Sequence, residues 1–465
     1  MKRLASIDAL FTEIDIQKNK AISFHHHLRN GDLVINQVLE KYSAEKVQGL
    51  SLFPSAIFPS YHMIKRLLEE GLVDHITTNY LSGPVAEYCS KYGESDLLTM
   101  QTHGGRARAI QEGKSEIDIA FIAAPCVNLS GDAVGYKGPS KCGSLGYAVA
   151  DSLHAKTVVL LTDYLVDEEF ANPEILGRNV DYVIQLDTIG DSKGIVSGTT
   201  KITSNPIGVK IATKTAEFLQ AVGAIKEGFS FQSGAGGISL KVTDELARFM
   251  KENKIKASFF SGGITGYHVG MLEAGMVDRL YDVQCFDLEA IDSLARNEKH
   301  IAISASQYAN PADENQVIKD LDIVILGATE IDLQYNVNVT TDSHGIIMGG
   351  SGGHSDTASE AKITVIVSPL MKGRLPIIKD RVTTVTTLGK HVDVFVTERG
   401  IAINPLRQDL RNLAKENGIK IVEIEDLYKK AISITGKPKD LVHSSKVIGQ
   451  VMDRTYEIID QLYRK

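Results

Sequence analysis

The chain has 465 residues, of which 43% are hydrophobic and 23% charged, and its formal net charge at pH 7 is -8. This length suits two or three domains with buried cores. The negative charge argues against a general affinity for nucleic acid, and no apolar run reaches the roughly 18 residues of a membrane helix. The four cysteines form no CxxC pair, which predicts buried free thiols in a cytoplasmic protein rather than disulfides or a metal site.

Short apolar runs alternate with segments of helical period in the first half of the chain. This pattern is typical of an α/β fold with a mainly parallel sheet flanked by helices. The predicted strands are GLSLF (49–53), IDIAFIAAP (117–125), TVVLLTD (157–163) and VDYVIQLD (180–187). The predicted helices are YHMIKRLLEEG (61–71) and a segment that starts within HGGRARAIQEG (103–113).

A segment rich in glycine, serine, threonine and proline, GIVSGTTKITSNPIG (194–208), interrupts the alternation. Because such residues break helices and strands, we predict a domain junction here, with one α/β domain at 1–205 and a second at 206–465. The alternation then resumes. Helices are predicted at 209–223, 241–253 and 267–275, and strands within 229–237, 257–266, 321–330 and 363–369.

Three glycine-rich loops follow predicted strands in the second half: FQSGAGG (231–237), FFSGGITG (259–266) and IIMGGSGGHSDT (346–357). Glycine lets backbone N–H groups approach a ligand closely, and ligands of open α/β sheets bind at the carboxyl ends of strands. Each loop alone is equally consistent with a tight turn, but together they favour a large phosphate-bearing ligand. The dinucleotide and ATPase glycine motifs are missing from the sequence.

Histidines and arginines raise two further possibilities. His25, His26 and His27 are adjacent, and because neighbouring strand residues alternate faces, we expect one inward histidine and no shared metal. THGGRARA places His103, Arg106 and Arg108 around a glycine turn and a helix start. Arginine forks bind carboxylates, so this segment indicates either a polycarboxylate substrate or a solvated helix face.

The run LDIVILGATEID carries Glu330 and Asp332 to the end of a predicted buried strand. A desolvated carboxylate has a raised pKa and is more nucleophilic unless partners hold its charge. Such a group can attack a thioester, with N–H groups of a nearby glycine loop stabilising the oxyanion. The alternatives are a turn cap or a structural ion pair, and for Asp332 we expect a structural role.

Several long strings resemble the alpha subunit family of citrate lyase, its citrate CoA-transferase component. They are HGGRARAI, KCGSLGYAVAD, GIVSGTT, GFSFQSGAGG, FFSGGITGYHVGMLEAG, LGATEID with NVNV, IMGGSGGHSDTA and VTERGIAINP, and they occur in the family's order over almost the whole chain. The resemblance implies two α/β domains of the CoA-transferase type. It also implies the exchange of acetate for citrate on the CoA-derived thiol of an acyl carrier subunit, with a beta subunit that then cleaves the citryl thioester.

A wider resemblance, to acetate and 4-hydroxybutyrate CoA-transferases, concerns TEID and GGSGGHSD. It implies that Glu330 is the catalytic nucleophile, with Gly352, Gly353 and His354 beside the reacting carbonyl; those relatives have glutamine where this chain has His354. The citrate lyase branch suggests instead a ternary complex in which citrate attacks the thioester directly. FQSGAGG resembles a loop near the CoA arm of these relatives, which implies CoA contacts at Gly234, Gly236 and Gly237.

These resemblances set the remaining expectations. No cofactor is expected to be bound permanently, because CoA or the carrier's prosthetic group is a substrate. His103, Arg106 and Arg108 are expected to bind the citrate carboxylates. The expected partners are the beta and gamma subunits and a second copy of the chain, without nucleic acid or membrane. The alternatives are transfer to another hydroxy-acid such as citramalate, or a non-catalytic scaffold.

Overall fold

The computed structural model describes residues 1–196, 200–439, 441 and 444–465. Residues 197–199 of the predicted junction therefore lie outside the described residues. Across the described part of the chain, no helix combines the length and the apolar character that crossing a membrane requires.

The first sheet has ten strands, and every neighbouring pair is parallel except the last. Its central strands consist of apolar residues that are buried on both faces, as expected where helices cover a parallel sheet. In spatial order the strands are Lys2–Leu4, Tyr182–Gln185, Thr157–Thr162, Ile119–Ala123, Ala21–Phe24, Leu50–Pro54, Val73–Thr78, Leu98–Met100, Val447–Met452 and Ile458–Tyr463.

The second sheet has eight strands and repeats this design, with one antiparallel pair at its edge. In spatial order the strands are His300–Ala302, Val277–Cys285, Ala257–Ile264, Ser230–Ser233, Ile323–Gly327, Ile363–Val367, Val394–Thr397 and Gly400–Ile403. The predicted α/β class, with mainly parallel sheets, is confirmed.

Helices connect the strands and cover the sheets, as parallel crossovers require. Their bounds are Ile7–Glu13, Val34–Ala44, His62–Glu69, Gly83–Tyr92, His103–Gln111, Val149–His154, Pro206–Ala221, Gly237–Asn253, Gly266–Glu273, Leu288–Arg296, Ala305–Ala309, His354–Glu360, Gln408–Glu416 and Ile424–Thr435. Short 3-10 turns lie at Arg29–Gly31, Gly177–Asn179, Ser192–Ile195, Val317–Asp320 and Gly389–His391.

Three smaller sheets complete the described elements. One contains Glu330–Asp332, paired with Val337–Asn338 and Ile378–Lys379. The others are Leu165–Val166 with Cys126–Asn128 and Ala133–Val134, and Met371–Lys372 with Leu375–Pro376. The single strand predicted at 321–330 is therefore wrong in its last part: the chain leaves the second sheet after Gly327, and Glu330 starts a separate strand.

Each large sheet has a point where the chain reverses its direction of winding. In the first sheet this point lies between Ala21–Phe24 and Ile119–Ala123, and in the second between Ser230–Ser233 and Ile323–Gly327. The crevice at the carboxyl ends of the strands beside such a point is the usual ligand site of open α/β sheets. The two sheets are in contact on this side, since Gln284 Nε2 near the end of strand Val277–Cys285 donates to the carbonyl of His26, two residues after strand Ala21–Phe24 (3.1 Å).

The predicted C-terminal limit of the second domain needs a correction. Strand Val447–Met452 pairs in parallel with Leu98–Met100, and Ile458–Tyr463 pairs beside it, so the last strands of the chain belong to the first sheet. Hydrogen bonding along an open sheet edge joins them there despite their distance in sequence. The division of the rest of the chain near 205 stays a prediction.

Candidate active site

Glu330 is fully buried and its carboxylate is surrounded by donors. Oε1 accepts from the Ser343 hydroxyl (2.6 Å) and the Thr383 hydroxyl (3.2 Å). Oε2 accepts from Asn338 Nδ2 (3.0 Å) and the Thr383 backbone N–H (2.8 Å), and Lys379 Nζ lies 3.5 Å from Oε1. The short strand that starts at Glu330 brings the side chain into this cage, since Asn338 is its direct partner across the pair.

The cage determines the charge of Glu330. Burial alone raises the pKa of the carboxyl group, but the hydrogen bonds from Ser343, Thr383 and Asn338, together with the Lys379 charge, outweigh it and lower the pKa below its usual value. The sequence predicts a raised pKa only for a carboxylate whose charge no partners hold, and Glu330 has such partners. Glu330 is an anion at neutral pH, and its partners fix its orientation.

Asp332 has the structural role expected for it. Its Oδ1 accepts from the backbone N–H groups of Gln334 (3.0 Å) and Asn336 (2.9 Å), which closes the turn between the two strands. Its Oδ2 accepts from Asn336 Nδ2 (3.1 Å). Burial raises the pKa of this carboxyl group despite these bonds. Among the residues that the structure describes, no cation lies against Asp332 in the way that Lys379 lies against Glu330.

A cavity of about 390 Å³ opens beside the Glu330 cage. Three members of the cage line it, namely Ser343, Lys379 and Thr383. Its wall includes the basic side chains Arg381 and Lys439 and also the acidic side chains Asp380 and Asp460.

Two predicted glycine loops meet at the end of strand Ile323–Gly327. The Gly234 N–H donates to the Ile325 carbonyl (2.8 Å), and Gly236 then caps the long helix Gly237–Asn253. From the other loop, the His354 Nε2 lies 2.9 Å from the Gly327 carbonyl. The sequence-predicted CoA loop and thioester loop thus flank the strand that leads to Glu330.

The His354 ring is occupied on both sides. Nε2 donates to the Gly327 carbonyl, and Nδ1 accepts from the Thr387 hydroxyl at 2.8 Å. Burial lowers the pKa of His354 to about 4, so the ring is neutral. In this arrangement His354 holds the glycine loop against the strand end, and its predicted place beside the reacting carbonyl stays a prediction.

The glycine loop also contacts the first sheet. The His103 N–H donates to the Gly352 carbonyl (3.0 Å), and the Gly352 N–H donates to the Asn79 carbonyl (3.1 Å). Gly352 has a φ of +51°, and a Cβ there would lie 3.2 Å from His103 Nε2. Glycine is needed at this position both for its backbone conformation and for the close approach of the ring.

His103 presents one ring nitrogen to this junction. Its Nδ1 accepts from Asn79 Nδ2 (2.8 Å), so the ring proton lies on Nε2, the atom beside Gly352. Burial, with a smaller contribution from the Arg106 charge, lowers the pKa of His103 to about 3. The ring packs against Tyr147 and His26, with centroids 4.4 Å and 5.7 Å away. Neutral His103 is therefore an oriented hydrogen-bond donor.

The two arginines of THGGRARA have partners within the protein. Buried Arg106 forms a bidentate pair with Asp151 (2.8 Å for each bond), and Arg108 Nε donates to Glu112 at 2.8 Å. Their predicted role in binding the acid stays a prediction that this geometry does not favour. The predicted helix start is confirmed: helix His103–Gln111 begins here, and Gly104 and Gly105 lie in its first turn. A side chain at Gly104 would collide with the Ala309 carbonyl, so this position requires glycine.

The expectation of one inward histidine in the HHH segment is wrong, because all three are buried. The faces do alternate as predicted: the His25 and His27 rings stack with centroids 6.3 Å apart, while His26 faces His103. Each has its own protein partner: His25 Nε2 lies 3.2 Å from Asp151, His26 Nδ1 2.7 Å from the Ser55 hydroxyl, and His27 Nε2 2.6 Å from the Ala123 carbonyl.

Another group with metal-ligand chemistry lies in the second sheet. Asp282, Cys285 and His300 are buried with their ligand atoms within 4.8 Å of one another. The Cys285 thiol donates to Asp282 Oδ2 (2.9 Å), and His300 Nε2 lies 3.0 Å from the same oxygen. Burial and the Asp282 charge raise the pKa of Cys285 well above its usual value, which keeps the thiol protonated. Hydrogen bonding among the three side chains accounts for the cluster.

Sequence reasoning missed most of the residues that surround Glu330 and His103. Ser343, Thr383 and Lys379 carry no motif, and their contact with Glu330 depends on pairing across 13 to 53 residues. Asn338 lies in the NVNV string, one of the strings noted for their resemblance to a known family, so the sequence does point to it. Tyr147, in KCGSLGYAVAD, also stands in a string noted for its resemblance.

The two parallel-sheet units have the fold of the CoA-transferase class. A solved 4-hydroxybutyrate CoA-transferase from Porphyromonas gingivalis has a TM-score of 0.56 to this chain at 16% identity, covering 92% of this chain and 97% of that chain. At this identity the likeness shows the fold.

The particular family follows from closer matches. The model of the family "Citrate lyase, alpha subunit (CitF)" matches residues 1–465. The citrate lyase alpha chain of Haemophilus influenzae is 41% identical over 463 residues, covering 100% of this chain and 93% of that protein. A Streptococcus mutans structure, described as the alpha subunit of citrate lyase in complex with citrate, has a TM-score of 0.96 and 41% identity, covering 100% of this chain and 91% of that chain. The chain belongs to the citrate lyase alpha subunit family and is an enzyme subunit of the CoA-transferase type.

Proposed function

We propose that the chain transfers the thiol of an acyl carrier from acetate to citrate, giving a citryl thioester and free acetate. The observation that carries the proposal is the caged Glu330 anion beside a strand end that two glycine loops flank. A carboxylate, glycine loops that can offer backbone N–H groups and a neutral donor at His103 are the groups that acyl exchange between a thioester and an acid requires.

One route uses Glu330 as the nucleophile. A carboxylate oxygen attacks the acetyl carbonyl, the C–S bond breaks and the thiolate departs. A mixed anhydride between the acetyl group and Glu330 remains. The thiolate then attacks the glutamyl carbonyl and releases acetate. A citrate carboxylate next displaces the thiolate to form a glutamyl-citryl anhydride, and thiolate attack on its citryl carbonyl gives the product and restores Glu330.

The second route passes through a ternary complex. A citrate carboxylate attacks the acetyl carbonyl directly, the thiolate leaves, and an acetyl-citryl anhydride forms. Thiolate attack on the citryl carbonyl then releases acetate. In this route Glu330 fixes the charge and shape of the site. The donors of its cage favour this role, since attack by Glu330 requires one carboxylate oxygen to leave bonds as short as 2.6 Å.

The remaining predicted residues take roles around these steps. Gly234, Gly236 and Gly237 receive the phosphate-bearing arm of the thioester, because the last two lie at the start of a 17-residue helix. Gly353 follows Gly352 in the loop and presents its N–H toward the developing oxyanion, while His103 Nε2–H binds the acid.

The cellular setting is proposed on the same basis. CoA or a CoA-derived prosthetic group acts as substrate, and the beta subunit and the acyl carrier subunit are the partners, in a cytoplasmic complex that contains more than one copy of this chain. The four cysteines are free and buried, which agrees with a reducing compartment.

The proposal is tested by mixing the purified chain with acetyl-CoA and citrate and detecting acyl-CoA by mass. We expect citryl-CoA and an equal amount of acetate. A negative result is repeated with the carrier subunit; if neither acceptor yields a citryl thioester, the proposal fails. Parallel reactions with citramalate separate the related acid, and thioester transfer to citramalate but not to citrate would also overturn the proposal.

A further inference from the structure

Arg29 lies at the winding reversal of the first sheet, five residues after strand Ala21–Phe24. Its backbone has a φ of +51°, a left-handed conformation that is costly for a residue with a Cβ and is found mainly at functional sites. The guanidinium lies over two aromatic rings, 4.7 Å from the centroid of Phe286 and 5.4 Å from that of Phe58. Phe58 follows a strand of the first sheet and Phe286 a strand of the second, so Arg29 lies between the two large units.

The charge of Arg29 has no acidic partner among the described residues. Nη1 donates to the Ile195 carbonyl (3.1 Å), while Nε is buried without an acceptor in the part of the chain that the structure describes. Buried Arg106 differs, because Asp151 holds it with two bonds. A largely buried cation without a carboxylate is unfavourable, and a bound anion removes this cost.

The groups around Arg29 are neutral donors. Burial, and then the charges of His103 and Arg29, lower the pKa of His26 well below its usual value. The Tyr61 hydroxyl is buried and has no hydrogen-bond partner within the described chain. The His26 ring is near both Arg29 and His103. Its centroid lies 5.7 Å from that of His103 and 6.1 Å from that of Phe58, the ring over which Arg29 lies.

We propose that Arg29 binds a free carboxylate of the acid substrate. This inference rests on the proposed function, in which one carboxylate of citrate reacts at the glycine loop. His103 Nε2 lies at that loop, beside Gly352, and Arg29 lies over the Phe58 ring, which the His26 ring links to His103. A polycarboxylate therefore finds an unpaired guanidinium fork at a distance from the reacting end, and an acid with one carboxylate, such as acetate, does not use it.

The test compares Arg29→Gln and Arg29→Lys with Arg66→Gln, a matched control that removes a guanidinium paired with Glu70. Calorimetric titration of each chain with citrate, and with the unreactive tricarboxylate tricarballylate, measures binding without any thioester. We expect Arg29→Gln to weaken both by tenfold to about a hundredfold, as for loss of hydrogen bonds to a charged group. Arg29→Lys keeps the charge but not the fork, so its affinity should fall between those of the native chain and Arg29→Gln, and Arg66→Gln should bind both acids as the native chain does.

Thermal unfolding provides a second readout. Because Arg29→Gln removes an unpaired buried charge, the variant without ligand melts at or above the native temperature, but it loses the upward shift that citrate causes in the native chain. If Arg29→Gln does not fold, Arg29→Lys alone decides, since weakened tricarboxylate binding by this variant supports the proposal.

Two results overturn the assignment. One is native-like tricarballylate binding by either Arg29 variant, and the other is an equal rise in KM for citrate and acetyl-CoA. Failure of the proposed function is different: the native chain then yields no citryl thioester, whatever the Arg29 variants bind.

Discussion

Replacing Glu330 by glutamine tests the caged carboxylate most directly. Four hydrogen bonds lose their charge assistance, from Ser343, Asn338 and twice from Thr383, and Lys379 loses its counter-charge. At about 1 kcal/mol for each bond, the loss is about 4 kcal/mol. The removed cost of burying an anion, several kcal/mol, offsets it. The free energy of unfolding should therefore change by less than about 2 kcal/mol.

Catalysis should change far more than stability. If Glu330 is the nucleophile, Glu330→Gln lowers kcat by at least about 10⁴-fold, since removing a nucleophile removes the covalent route. If Glu330 only fixes the charge of the site, the loss is about a hundredfold, the size seen for single electrostatic contacts. The assay is citryl-CoA formation from acetyl-CoA and citrate, and borohydride treatment of the acyl-charged native chain checks for a reduced glutamyl thioester at Glu330.

The matched control is Asp332→Asn, which converts another buried carboxylate to an amide two residues away. Asp332 holds a turn, so this variant should lose stability but keep kcat within about threefold. A Glu330→Gln enzyme with native kcat and KM would refute both proposed roles. An equal loss of kcat in the two variants would show that damage to the local strand, and not the loss of the Glu330 charge, explains the effect.

Three other changes test the surrounding structure. Gly352→Ala should cost about 1 to 2 kcal/mol for the left-handed backbone and lower kcat, because the methyl group meets His103 Nε2; unchanged urea unfolding would contradict this. Burial raises the pKa of Asp32 to about 7, so the folded chain holds an extra proton and loses stability as the pH rises from about 4 to 7. Asp32→Asn should remove this loss and gain roughly 2 to 4 kcal/mol at pH 8 relative to pH 5, whereas an unaltered pH dependence of urea unfolding would argue against it. Arg106→Met should destabilise the chain by about 3 to 5 kcal/mol by leaving Asp151 unpaired, while unchanged stability with a raised citrate KM would support the substrate-binding role predicted from sequence.

The sequence allowed prediction of what depends on local pattern. IDIAFIAAP contains the fully buried strand Ile119–Ala123 because a strand covered on both faces is apolar throughout. The helix at Pro206–Ala221 and the parallel sheets follow from the same periodicity. Glu330 was found because an acid after an apolar run is unusual.

Features that depend on distant residues were not predictable. The chain departs from the second sheet after Gly327 because Ile331 pairs with Ile378, and nothing near LGATEID indicates that partner. Arg106 was assigned to substrate because Asp151 is 45 residues away. The string HHHLRNGD does not single out Arg29, because only the structure shows that this arginine has no acidic partner among the described residues.

The C-terminal hairpin has a consequence for biosynthesis. Leu98–Met100 has no neighbour on one side until Val447–Met452 emerges from the ribosome almost 350 residues later. Until then the nascent first sheet has an open edge, which invites pairing with other chains. The hairpin also ties the finished sheets together, because Arg454 in its turn donates to the Ala309 carbonyl (2.8 Å) and Asp460 accepts from the Val385 N–H (2.7 Å). These two strands therefore complete the first sheet long after its other strands are made, and a chain released before them lacks both the cover of the sheet edge and the contacts that tie the sheets together.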